Sequence, residues 1–175
     1  FDQILSQKPG DWSLHTVPVR CAVHFQNSVR IIMNQEIYLI GLNHKTAGVD
    51  IRERYALPSC DPCSEGLITE LGPVSEALIL STCNRVEFLV VGELTENIRE
   101  RVLSFWSRHC CQPMADLDAH TYCHQGSAAV DHVFTVASSL DSMILGEPQI
   151  LGQLKTAYRN AVESGSAKVI VNRLL

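Results

Sequence analysis

No stretch of the 175-residue chain approaches the roughly 20 consecutive apolar residues that a membrane-crossing helix needs. Nothing resembles a secretory signal, and the seven cysteines are odd in number and irregular in spacing, which argues against a disulfide framework. Free thiols in a reducing compartment, the cytoplasm, are therefore expected. Positive charge is also scarce. With a formal net charge of −5, the chain is not a protein that grips nucleic acid through a broad basic surface, because neutralising phosphates takes clustered Lys and Arg. A small local patch stays open, with His44, Lys45, Arg52, Arg54 and Arg85 as its candidates. There is no internal repeat, no low-complexity tract and no GxGxxG turn for a dinucleotide.

What is present is enough to build a core: 46% of residues are hydrophobic and 19% charged, in a chain long enough for one compact domain with extensions. Residues 1–32, which include Pro9, Gly10 and Pro18, show no sustained period and are expected to be an extension outside the fold; Met33 reads as a natural start. The domain is expected over 33–165. Ile37–Leu42 predicts a buried strand, 62–71 a short helix stopped by Gly72-Pro73, and Ala77–Leu80 and Val86–Val91 two further strands about a polar turn. Thr95 is placed as the cap of a helix reaching about His109, followed by a fourth strand near Thr121–His124. This order is the ferredoxin-like βαββαβ arrangement, an α+β fold with two helices on one face of an antiparallel sheet. Further helices are expected over Ala128–Leu140 and Ile150–Val162.

Three clusters carry possible chemistry. In the turn Ser81-Thr82-Cys83-Asn84-Arg85, a cysteine sits on rigid flanks with a guanidinium two residues on, a setting that favours a nucleophilic thiolate and suits acyl transfer. A buried, inert thiol at a strand end is the competing reading. His132 shares a helical face with Thr135 and Ser139, opposite the apolar stripe, and is either a solvated histidine or, where that face meets the Cys83 turn, a base, an acid or an orienting donor. In Gly146-Glu147-Pro148-Gln149, with Gln153 one helical turn on, a carboxylate and two amides suit a polar ligand such as an α-amino acid, or else only cap a helix. Cys60-Asp-Pro-Cys63 lacks the second pair that a zinc site requires, since Cys110 and Cys111 are adjacent, so a zinc or redox role ranks low.

The runs Gly41-Leu42-Asn43-His44-Lys45-Thr46-Ala47, Ile51-Arg52-Glu53-Arg54, Ser81–Glu87 and Val136–Gln153 resemble the glutamyl-tRNA reductase family, in the same order and over most of Ile37–Val162. The resemblance implies that Cys83 attacks the ester of glutamyl-tRNA(Glu) to give a glutamyl thioester. NADPH, held by a domain absent from this chain, would then reduce that thioester to glutamate-1-semialdehyde for tetrapyrrole synthesis. It further implies that Thr82, Cys83, Asn84 and Arg85 form the substrate-binding turn, with Ser142, Glu147, Pro148, Gln149 and Gln153 as the remaining glutamate contacts. Arg85 would meet the substrate side-chain carboxylate and Glu147 its ammonium, and His132 matches a histidine on which activity depends. Residues 166–175 would begin a linker to the NADPH domain. A homodimer and glutamate-1-semialdehyde aminomutase are the implied protein partners. Two departures stand out, Gly48 where the family usually has proline and Ser139 where it usually has glycine. An RRM-like RNA-binding module with Tyr38 and Phe88 on its strands is the alternative, although the third strand lacks the RNP1 pattern.

Overall fold

The computed structural model describes residues 35–57, 66–93, 97–142 and 149–175. Its elements are β1 (Gln35–Asn43), α1 (Val49–Arg54), α2 (Leu67–Leu71), β2 (Val74–Ser81), β3 (Arg85–Glu93), α3 (Ile98–Cys110), α4 (Met114–His120), β4 (Tyr122–Gln125), α5 (Ser127–Ala137), α6 (Gln149–Glu163) and α7 (Val169–Leu174). The strands form one four-stranded sheet in the order β2-β3-β1-β4, and every neighbouring pair is antiparallel. That is the ferredoxin-like fold the sequence predicts. The capping residue Thr95 and the first part of the 62–71 helix lie outside the described residues. Asn97 immediately precedes α3.

Alternate residues of a strand face opposite sides of a sheet, and here both sides are covered. On the first face, Tyr38, Ile40, Leu42, Val86, Phe88 and Val90 pack against Leu67 and Leu71 of α2, Val102 and Trp106 of α3, and Leu117 of α4. On the second, Leu39, Leu78, Leu80, Leu89 and Val91 pack against Val133 and Val136 of α5, Ile150 and Leu154 of α6, and Val171 of α7. Burial on both faces explains why Phe88–Val91 is a continuous apolar run instead of an alternating one. Tyr38 and Phe88, the aromatics of the RNA-binding alternative, lie inside this core at 8% and 0% exposure, so neither offers a face on which a base can stack.

Three short helices escaped the sequence reading. No residue of α1 is buried and α4 buries only Leu117, so neither carries a helical apolar stripe. The third, α7, lies in the segment expected to begin a linker, and it is anchored on β2. The carboxylate of Glu76, 3% exposed, accepts the backbone N–H groups of Lys168, Ile170 and Val171 at 2.8–2.9 Å. These are N–H groups of the first helical turn, which have no partner within the helix, and the anion also complements the helix dipole. Beside them, the Ala77 N–H donates to the Ser166 carbonyl at 2.9 Å.

Because Glu76 holds only this local unit, Glu76→Ala should detach it without loosening the sheet. Hydrogen bonds to a charged group contribute about 1.5–3 kcal/mol, so amide exchange across Lys168–Leu174 should quicken by about 10- to 100-fold. Exchange in β1 and β3 should stay as in the parent chain. A uniform acceleration throughout the sheet would contradict a local anchor.

Candidate functional site

The turn between β2 and β3 is shaped by Thr82. Its N–H donates to the Arg85 carbonyl at 2.8 Å, and its Oγ1 accepts the N–H groups of Asn84 and Arg85 at 3.2 and 3.1 Å. The hydroxyl therefore holds the two residues that follow Cys83 and leaves the thiol exposed at the tip. From outside the hairpin, Arg52 Nε donates to the Cys83 carbonyl at 3.3 Å and the His44 N–H to the Asn84 carbonyl at 3.0 Å. Cys83 is thus open to solvent and not buried at a strand end.

Arg85 points away from that tip, into the second sheet face. It is 2% exposed, with Nη1 2.9 Å from Glu87 Oε1 and Nη2 3.0 Å from Asp141 Oδ2; Nη2 also donates to the Asp141 carbonyl. Asp141 binds Asn43 Nδ2 at 3.3 Å and pairs with Lys45 Nζ as well. Of the five basic candidates, His44, Lys45, Arg52 and Arg85 thus gather around the Cys83 turn, while Arg54 pairs with Asp116 at 3.3 Å. The sequence reading has Arg85 stabilising a thiolate and receiving a substrate carboxylate; its guanidinium instead meets two internal carboxylates.

His132 is drawn into the same network. Helix α5 ends at Ala137 and Ser139 turns left-handed at φ 58°, so Ser139 does not continue the helical face that carries His132. The His132 side chain is 14% exposed and its Nε2 lies 2.7 Å from Glu87 Oε1, which also accepts the Tyr122 hydroxyl. It is neither a solvated surface histidine nor remote from the sheet. Tyr122, Glu87 and His124 were absent from the sequence-derived site. The signal for Glu87 was its spacing from Arg85, because two charged residues two apart in a strand share one face of an otherwise apolar run.

Gly41 makes this meeting possible. It pairs with Glu87 on one side and Tyr122 on the other, and a Cβ there would stand 2.6 Å from the Val86 carbonyl oxygen and 2.7 Å from Glu87 Cγ. Of the other expected contacts, Ser142 is partly buried after the α5 turn, and Gln149 and Gln153 are exposed on α6. Glu147, Pro148, Cys60 and Cys63 lie outside the described residues. Among the described residues, no group of three or more His, Cys, Asp or Glu side chains is placed to hold a metal ion, and no helix is long and apolar enough to cross a membrane.

The family model described as the N-terminal domain of glutamyl-tRNA(Glu) reductase matches residues 40–175. The chain belongs to that family. It is 57% identical over 145 residues to a glutamyl-tRNA reductase of Maridesulfovibrio salexigens, covering 82% of this chain and 32% of the relative. A second, from Solidesulfovibrio magneticus, is 58% identical over 142 residues, covering 81% and 31%. The solved glutamyl-tRNA reductase of Methanopyrus kandleri superposes with a TM-score of 0.62 at 29% identity, covering 79% of this chain and 31% of that one. The chain thus spans about a third of the length of the curated relatives it matches.

Both departures from the family pattern fit the backbone. Gly48 sits at φ −63°, the angle a proline ring imposes, so glycine there gives up rigidity and keeps the conformation. Ser139, at φ 58°, occupies the left-handed region that glycine enters without penalty.

The charges set a pH dependence. Burial alone would raise the Asp141 carboxyl, but hydrogen bonding from Lys45 and the charge of Arg85 hold it below its ordinary value; Glu87 is likewise lowered against burial, by His132 and Arg85. A carboxyl with a depressed folded-state pKa contributes stability that is complete above its unfolded value, about 4, and is lost as pH falls through the folded one. Asp141→Asn should therefore cost about 3 kcal/mol at pH 7 by leaving part of the Arg85 charge uncompensated, and the deficit should shrink towards pH 3. Urea denaturation across that range reads it, and an equal deficit at both ends would refute the assignment.

Proposed function

We propose that this chain is the acyl-transferring domain of a glutamyl-tRNA reductase. Cys83 attacks the ester carbonyl of glutamyl-tRNA; a sulfur–carbon bond forms, the carbon–oxygen bond breaks, and the tRNA leaves with its terminal hydroxyl restored. The observation that carries this reading is the exposed Cys83 at the tip of a hairpin braced by Thr82, Arg52 and His44. A thioester donates electron density into its carbonyl poorly, so it accepts hydride more readily than the original ester, and covalent attachment keeps the acyl group in place.

In this proposal Thr82 and Asn84 shape the turn against the substrate, while Ser142, Glu147, Pro148, Gln149 and Gln153 complete the glutamate contacts. Arg85 holds the geometry, and it meets a substrate carboxylate only by exchanging one internal partner for it. His132 is the acid–base group. Reduction by NADPH to glutamate-1-semialdehyde belongs to the length of the relatives that this chain does not span. Tetrapyrrole synthesis in the cytoplasm, a homodimer of the whole enzyme, and hand-over of the aldehyde to glutamate-1-semialdehyde aminomutase complete the proposal.

Incubated with glutamyl-tRNA, the chain should acquire one glutamyl group on Cys83, visible by intact-protein mass spectrometry and peptide mapping, and should slowly release glutamate. Cys83→Ser should do neither. Equal hydrolysis by the serine variant, or an adduct on another cysteine, would overturn the assignment.

A further inference from the structure

Three groups converge on one oxygen of Glu87: Arg85 Nη1 at 2.9 Å, His132 Nε2 at 2.7 Å and the Tyr122 hydroxyl. The carboxylate is 3% exposed, and the bare Cα of Gly41 leaves the space across which the Glu87 and Tyr122 side chains meet. Burial would favour the protonated acid, yet the His132 hydrogen bond and the Arg85 charge hold its pKa below the ordinary value, so Glu87 is ionised at neutral pH. An ionised carboxylate only accepts hydrogen bonds, so the imidazole nitrogen facing it must carry the hydrogen. A neutral imidazole carries one N–H, and its other nitrogen is then an acceptor.

We propose that Glu87 is a positioning residue that fixes His132 in the Nε2–H form, leaving Nδ1 as the nitrogen that exchanges protons in the acyl-transfer step. The inference rests on the reading of His132 as the acid–base group. Among the described residues no hydrogen bond engages Nδ1. The ring is also held in plane: His124 stacks on it at 4.8 Å and 29°, and Tyr122 lies against it at 5.3 Å and 52°. The groups facing this cluster are Arg85 and Glu87 from β3, Tyr122 and His124 from β4, and Asp141 beyond α5. His124 stays neutral, lowered first by burial and then by the neighbouring imidazole, and the Tyr122 phenol is raised by burial and by Glu87. Where Nδ1 serves Cys83, the thiol proton passes to it as the sulfur–carbon bond forms and goes on to the ribose oxygen as the carbon–oxygen bond breaks, so protons balance over the step.

Long-range proton–nitrogen NMR of the imidazole-labelled chain at neutral pH reads the tautomer directly, with His132→Gln identifying the resonance. The expected result is His132 protonated at Nε2 and bare at Nδ1. Glu87→Gln should populate both tautomers, slow Cys83 acylation by glutamyl-tRNA about 100-fold and shift its pH profile, whereas Tyr122→Phe should keep the tautomer. A parent chain with the proton on Nδ1, or a folded Glu87→Gln chain with an unchanged tautomer and pH profile, overturns the proposal. Should Glu87→Gln fail to fold, the parent tautomer alone decides. A parent chain that never acylates Cys83 refutes the catalytic reading, and the tautomer measurement still judges the positioning of His132 by itself.

Discussion

A guanidinium that is 2% exposed cannot stand alone in a protein interior, and the placement of Arg85 organises the rest of the site. Its two carboxylate partners come from different parts of the chain: Glu87 lies two residues on in the same strand, and Asp141 follows α5. Compensating one charge therefore fixes the start of β3 against the end of α5. Through Asp141 the same network reaches Asn43 and Lys45 beyond β1, and through Glu87 it reaches His132 and Tyr122. The hairpin that exposes Cys83 is thus rigid on its inner side because its last residue is the buried cation.

Most of the fold was legible because its strands are bounded by turn residues and its longer helices carry apolar stripes. Ile37–Leu42 and Val86–Val91 lie within β1 and β3, and Ile150–Val162 differs from α6 by one residue at either end. The short helices were not legible, since elements that bury one residue or none leave no period to find. At the site, Cys83 was found because a reactive residue in a tight turn is unusual. The destination of Arg85 was missed for a different reason. Pairing with Asp141 is a contact across 56 positions, and nothing local announces it.

Departures from ordinary packing collect at one end of the sheet: a buried cation with two carboxylates, a left-handed Ser139, and His44, whose Nδ1 is buried with no hydrogen-bond partner among the described residues. Burial lowers the His44 pKa and keeps that imidazole neutral. The opposite end of the molecule, where Glu76 caps α7, obeys ordinary rules of satisfaction. Concentrated rule-breaking within a locally consistent fold is the pattern expected where stability has been traded for chemistry.

The central claim is that Arg85 and Asp141 act as one unit joining the Cys83 hairpin to the α5 end. A double-mutant cycle of Arg85→Met and Asp141→Asn, followed by urea denaturation at pH 7, tests it most directly. The account predicts a coupling of about 1.5 kcal/mol or more, with the double variant more stable than the summed single losses imply. Additive losses, with coupling below about 0.5 kcal/mol, would contradict it.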